Sequence, residues 1–210
     1  MNKFLRDEYY EAHDIPALKP VLAKWIAVQR EYTRQIGDDF AWNYRERTSI
    51  GFLAAAAWKA GGVALEEWRT EKGPRNDPRK GRCDLYIYRR RQSFHIEAKH
   101  MWSCATGKQP NAISYIERQL KRAVADAKLL QCPRKEKLGL LFVAPFYSAR
   151  KQTHMTDHIA TWLKGIYEIP HSAIAWLFLD RRKLKSHPKS NVVPGIVLIV
   201  RYTKKVDSHA

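Results

Sequence analysis

Between residues 82 and 99 the chain alternates so regularly that few folds can accommodate it. Arg82-Cys-Asp-Leu-Tyr-Ile-Tyr88 and Ser93-Phe-His-Ile-Glu-Ala-Lys99 place apolar side chains at every second position, the period of a strand with one buried face. Arg89-Arg-Arg-Gln92 separates the two runs and reads as a hairpin loop. If Leu85 and Ile87 share the buried face with Phe94, Ile96 and Ala98, then Asp84, Tyr86 and Tyr88 share the opposite face with His95, Glu97 and Lys99. With residues 89–92 as the loop, Tyr88 pairs with Ser93, and Asp84 stands across from Glu97 with Cβ atoms about 4.5–5.5 Å apart. Two carboxylates at that distance repel unless a cation lies between them or one takes up a proton.

Hard oxygen donors of this kind suit Mg²⁺, with Mn²⁺ as its substitute, which takes one or two carboxylates and leaves positions for water and substrate phosphate. Lys99 emerges on the same face, where an ammonium group can hold the attacking water and offset charge on a scissile phosphate. The same spacing also fits a solvated cross-strand salt-bridge ladder of Asp84, Glu97 and Lys99.

Around the hairpin the periodicity changes. Leu18, Leu22, Trp25, Ile26 and Ile36 form one helical stripe, with Pro16 and Pro20 marking the helix start. Gly37 stops it, and Asp38-Asp39 caps a second helix running to Ala60, ended by Gly61-Gly62. Val63–Glu71 reads as a first strand, followed by a polar loop over residues 72–81. Residues 111–130 return to helix with Ile113, Ile116, Leu120, Ala123 and Ala127 inward. Leu138–Val143 is a continuous apolar run, the mark of a strand buried on both faces. A helix over 155–167 and strands over 172–179 and 195–201 follow. The expected class is α/β, a central mixed sheet flanked by helices, with an N-terminal helical segment (residues 1–36) ahead of a domain spanning 37–210.

Charge narrows the partner. Lys and Arg number 38 against 21 Asp and Glu, a formal charge of +17, and polyanions are the usual counterpart of such an excess. A solubility surface or attraction to acidic lipid are the alternatives. The longest apolar stretches, Ile50–Trp58 and Gly195–Val200, are too short to span a bilayer. Cys83, Cys104 and Cys132 lack CxxC spacing, and Met1–Glu8 lacks the apolar run of a secretory signal, so a reducing cytoplasmic setting is expected.

Asp84, a hairpin, then Glu97-Ala98-Lys99 resembles the catalytic pattern of the PD-(D/E)XK nuclease superfamily, the restriction-endonuclease-like fold. That fold's core runs helix, three antiparallel strands, helix, strand, the order expected here from about residue 40 to 145. The resemblance implies Mg²⁺-dependent phosphodiester hydrolysis, with Asp84 and Glu97 as metal ligands, the Ala98 carbonyl as a third, and Lys99 beside the nucleophilic water. Many members add a Glu from the first core helix, and Glu46 in Asn43-Tyr-Arg-Glu-Arg47 occupies that place. Cys83 stands where the name-giving Pro would be.

Glu46 is equally suited to pairing with Arg45 or Arg47 on a helix surface. Glu66 and Glu67 face opposite ways on the first strand, so at most one looks into the site. Gln119, where some relatives place a site-lining Gln, reads more simply as a solvated helix residue. His154 and His158 have helical spacing but no third zinc ligand. Arg75–Arg82, Arg89, Arg90 and Arg91 at the turn, and Arg118, Lys121 and Arg122 on the following helix are candidates for phosphate contacts. Arg181-Arg-Lys183 and Lys204-Lys205 are more distant. Tyr86 and Tyr88 suit core packing or stacking on a base. The expectation is a DNA nuclease, acting as a homodimer or with a partner subunit where both strands are cut. The alternative is a non-catalytic nucleic-acid-binding or protein-interaction module on the same fold.

Overall fold

The apolar runs become the middle of a mixed sheet. In the computed structural model, which describes residues 3–37, 39–74, 76–106, 111–132, 136–148, 155–179 and 191–203, the elements are β1 (Glu8–Glu11), α1 (Lys19–Ile36), α2 (Glu46–Lys59), β2 (Val63–Lys72), β3 (Arg79–Arg89), β4 (Gln92–Cys104), α3 (Ala112–Lys128), β5 (Glu136–Ser148), α4 (Met155–Tyr167), β6 (Ala173–Phe178), β7 (Asn191–Val192) and β8 (Gly195–Tyr202). The strand order is β1-β6-β8-β5-β4-β3-β2, with β7 beside the end of β5. β2, β3 and β4 form an antiparallel meander, α3 crosses over, and β5 returns parallel to β4. From α2 to β5 the chain therefore runs helix, three antiparallel strands, helix, strand. Among the described residues no helix is long and apolar enough to cross a membrane.

Two apolar layers hold the sheet. Leu85, Ile87, Phe94, Ile96, Ala98, Leu140 and Phe142 pack on one face against Leu22 and Trp25 of α1 and Leu53 and Ala57 of α2. Leu141, Val143, Ile174, Trp176 and Ile199 pack on the other against Ile116 and Leu120 of α3 and Ile159 and Leu163 of α4. β5 feeds both layers, as its unbroken apolar run requires. Gly139 lets α3 approach β5. A Cβ there would stand 2.4 Å from the Val124 backbone nitrogen, closer than atoms can pack.

Four local expectations are corrected. Residues 1–36 are not wholly helical, because Glu8–Glu11 adds an edge strand to β6; four residues with acids at both ends leave too little pattern to see. Nor does α1 stand apart, since Val21, Leu22, Trp25 and Ile26 are buried in the sheet's own core. α2 starts at Glu46 rather than at the acidic pair; Asp38 lies outside the described residues, and the Asp39 carboxylate accepts the Phe40 N–H and the Tyr32 and Tyr44 hydroxyls instead. The polar loop expected over 72–81 is shorter at both ends, because the β2–β3 ladder runs on until Lys72 pairs with Arg79, after Glu71 with Lys80.

The hairpin turn is two residues, Arg90 and Arg91, with φ of 50° and 64°. These are the left-handed values that a type I′ turn demands of both central positions. Tyr88 still pairs with Ser93, and Arg89–Gln92 extends the ladder.

Gly139→Ala should cost about 2–3 kcal/mol, because the clash is with backbone that cannot swing aside. Denaturant unfolding of the two proteins checks it, and a variant as stable as the wild type would contradict this packing.

Candidate active site

The site forms where β4 loses its neighbour. The β3–β4 ladder ends at Leu85–Ile96, although both strands continue, so the β4 edge beyond Ile96 must find other hydrogen-bond partners. Asp84 Oδ2 accepts the Ala98 N–H at 2.8 Å. The Glu46 carboxylate, on the first residue of α2, accepts the N–H of His100. A residue's N–H and C=O point to the same edge of a strand, so the Ala98 carbonyl is aimed into the same opening as its N–H. Two acids from different elements thus cap successive edge positions of one strand. Cys83 Sγ fills the space just before, donating toward the Ile96 and Leu85 carbonyls at 3.4 and 3.3 Å.

Glu97 and Lys99 flank this edge. Lys72 Nζ is 2.8 Å from the Glu97 carboxylate, and Lys99 Nζ is 2.8 Å from Asp126 Oδ2 on α3. Burial pushes the Glu97 carboxyl up to about 7, with the neighbouring Asp84 charge adding and Lys72 opposing. Burial also raises Glu46, again with Asp84 adding and Lys99 opposing. Burial works against the Lys99 charge, but Asp126, Glu46 and Asp84 outweigh it and hold the ammonium above its ordinary range. The Cys83 thiol is driven up to about 12 by burial and by Glu97, so it stays protonated.

Glu46, Asp84, Glu97 and Lys99 therefore come together, joined by Lys72 and Asp126, which the sequence did not single out. Alternation hides Lys72. Ala64 and Glu66 lie on the α2 side, Ala64 in its core and Glu66 against Gly51. Trp68, Thr70 and Lys72, of the same parity, instead touch Tyr86, Cys132 and Glu97. The switch falls at Glu67, whose φ of 51° is left-handed and whose ladder partner is skipped between Glu66–Leu85 and Trp68–Cys83. Beyond it the arm is fastened to the segment after α3, with Gln131 N–H donating to Glu71 O at 2.8 Å and Gly73 N–H to Leu129 O at 2.9 Å. Glu66 and Glu67 stay outside the cluster, Glu67 held by Arg47 and Arg82 at 3.1 and 3.3 Å.

Four carboxylates (Glu46, Asp84, Glu97, Asp126) face two ammonium groups (Lys72, Lys99), a formal surplus of two negative charges in a chain of net +17. The donor set fits a hard divalent cation in both charge and ligand chemistry. Asp84, Glu97 and the Ala98 carbonyl would hold it, with Glu46 within electrostatic reach of Asp84 and Lys99.

The expected basic residues divide. Arg89 is buried, its guanidinium donating to the Ala60 and Ala17 carbonyls at 3.0 Å each; the expectation of a phosphate contact is corrected, because those backbone oxygens already hold it. Arg90 and Arg91 are exposed at the turn, six residues and about 20 Å along the strand from Asp84. Arg118, Lys121 and Arg122 are exposed on α3. Arg122 and Arg118 precede Asp126 by about 6 and 12 Å along the axis. Arg118 lies over the Tyr115 ring, Lys121 pairs with Glu117, and Gln119 is half-buried, its Oε1 3.5 Å from Arg122. Arg75, His154, Arg181–Lys183 and Lys204–Lys205 lie outside the described residues. No family model, curated protein or solved structure matches the chain.

Because the folded Glu97 holds its proton up to about 7 rather than 4.5, its ionisation costs stability as pH rises through that window. In chelator, Glu97→Gln should gain melting temperature over the wild type more at about pH 8 than at about pH 5. Equal differences at both pH values would contradict the assigned burial. Arg89→Ala should lose about 2–3 kcal/mol of stability, as expected for a buried charged donor with two acceptors, and denaturant unfolding reads it.

Proposed function

We propose that the protein is a metal-dependent nuclease that hydrolyses phosphodiester bonds in DNA, on a restriction-endonuclease-like core running from α2 to β5. The observation that carries this is the meeting of Glu46, Asp84, Glu97 and Lys99 at the opening between β3 and β4. A solvated salt-bridge ladder explains it less well. Glu97 is buried and Asp84 is engaged by backbone, whereas ladder residues stay in water.

A bound Mg²⁺ supplies Lewis-acid polarisation of a phosphoryl oxygen and a water acidified for attack. The residues set the geometry around it. Asp84, pinned by the Ala98 N–H, and Glu97, pinned by Lys72, present carboxylate oxygens from two strands. Lys99, kept charged and oriented by Asp126, stands where it can hydrogen-bond the nucleophilic water and offset the charge that builds on the phosphate. Glu46 completes the acidic rim. Arg118 and Arg122 extend the positive surface along α3 toward the phosphates flanking the cut. DNA rather than RNA rests on the resemblance alone, and so does the need for a second copy or subunit in double-strand cutting.

Asp84→Asn, Glu97→Gln and Lys99→Ala should each lower cleavage of plasmid or linear DNA in Mg²⁺ or Mn²⁺ at least about a hundredfold, a loss typical of a positioned transition-state group, while binding persists. Replacing Arg118, Lys121 and Arg122 by Ala should reduce the salt slope of duplex binding by about 0.9 for each phosphate that is no longer neutralised. Tight, metal-independent binding with no cleavage of DNA or RNA by the wild type would favour the non-catalytic module.

A further inference from the structure

A second set of metal-ligating side chains lies far from β3 and β4, where the N-terminal segment meets the turn before β6. Glu11 ends β1, His13 follows it, and His171 lies between α4 and β6. One carboxylate oxygen of Glu11 and one ring nitrogen from each histidine lie within 4.8 Å of one another. Glu11 and His171 are 160 residues apart in the chain, so their meeting is a product of the fold.

The His171 ring meets the Glu11 carboxylate through a long hydrogen-bond contact. The His171 side chain is 6% exposed. Its Nδ1 lies 2.7 Å from the Ile169 carbonyl, an acceptor only, so Nδ1 carries a proton. Nε2 lies 3.4 Å from Glu11 Oε1, a hydrogen bond when that nitrogen carries a proton and, when it does not, a lone pair and a carboxylate oxygen facing the same point, where a cation fits. The gap is long for a hydrogen bond, yet it matches the separation of about 3.3 Å between two tetrahedral ligands each about 2.0–2.1 Å from zinc.

The outer contacts have the form that metal ligands use. Histidine ligands donate their second ring nitrogen to a carbonyl, and carboxylate ligands are themselves hydrogen-bonded. Here Ile169 O takes the His171 proton, and the Tyr9 and Tyr167 hydroxyls both bind Glu11. His13 is anchored with Nε2 2.9 Å from the His171 carbonyl. Two imidazoles and one carboxylate form a borderline-soft set, suited to Zn²⁺ and poor for Mg²⁺.

We infer that Glu11, His13 and His171 form a zinc site that fastens the N-terminal edge strand β1 to the turn before β6. Water completes the tetrahedron on the side left open by the half-exposed His13. The role is structural. β1 is a four-residue edge strand, and a metal spanning it and the turn before β6 resists its fraying.

The test uses tag-free, full-length protein stripped with chelator and titrated with Zn²⁺ or Co²⁺ alone. One equivalent should bind, Co²⁺ should give the intense visible bands of tetrahedral coordination, and zinc should slow proteolysis within the first 15 residues. His13→Ala, Glu11→Gln and His171→Ala should each weaken zinc at least about tenfold, and Tyr9→Phe, an outer contact, by about tenfold. The half-exposed His13 can be removed without opening the core, which keeps the test sound if His171→Ala fails to fold. Glu97→Gln should bind zinc unchanged, separating this site from the proposed nuclease site.

Absence of zinc uptake by the wild type would overturn the inference, leaving His171 hydrogen-bonded to Glu11. Uptake unaffected by His13→Ala and Glu11→Gln, or lost in Glu97→Gln, would overturn it equally.

Discussion

The arrangement depends on a shortage of hydrogen-bond partners along one strand. β4 continues for eight residues beyond Ile96 after β3 has ceased to pair with it, and buried backbone N–H groups left unpaired are costly. Asp84 and Glu46 supply the missing acceptors at Ala98 and His100. The same contacts draw two carboxylates onto a strand whose own Glu97 is already buried. Each acid is fixed by the backbone, while the repulsion among them remains. Backbone satisfaction and the gathering of acids therefore have one origin here. Asp84 without its N–H partner would turn to solvent, and the N–H without Asp84 would have to pair again with β3 and close the opening.

Much of this was legible because one face of the hairpin is core. Leu85, Ile87, Phe94 and Ile96 admit only even shifts in register, and the observed ladder keeps Tyr88 against Ser93 with a turn two residues shorter than expected. Lys72 was not legible. Its side is decided by a single left-handed residue at Glu67, an acid whose type gives no hint of positive φ, unlike glycine. Arg89 misled for a related reason. A run of three arginines reads as one exposed patch, yet the first belongs to the strand and the other two to the turn. Only the first is offered the Ala60 and Ala17 carbonyls.

The α3 side is fixed by packing rather than by polar pairing. Asp126 reaches Lys99 because α3 lies almost against β5 at Gly139, and an amphipathic helix with Ile116, Leu120, Ala123 and Ala127 inward sets the rotation that leaves Asp126 at its flank. A glycine inside an apolar strand run carries no polar signal, but it sets the distance at which a helix can lie on a sheet. The lysine's orientation is thus determined two elements away, by the absence of a methyl group.

Charge is distributed unevenly between the surface and the opening. The chain is basic overall, whereas the opening between β3 and β4 collects acids whose ionisation is resisted by burial and by one another. Under the proposed function, a phosphate drawn in by the surrounding cations meets net repulsion at the point of cleavage until a divalent ion balances the site. Binding of metal and binding of substrate at that point then assist each other, since each relieves the repulsion the other would face. A solvent-exposed cluster would weaken this coupling, because water and salt screen such charges over a Debye length of about 8–10 Å. The 3% exposure of Glu97, which costs the folded protein stability, would keep that coupling strong under the proposed function.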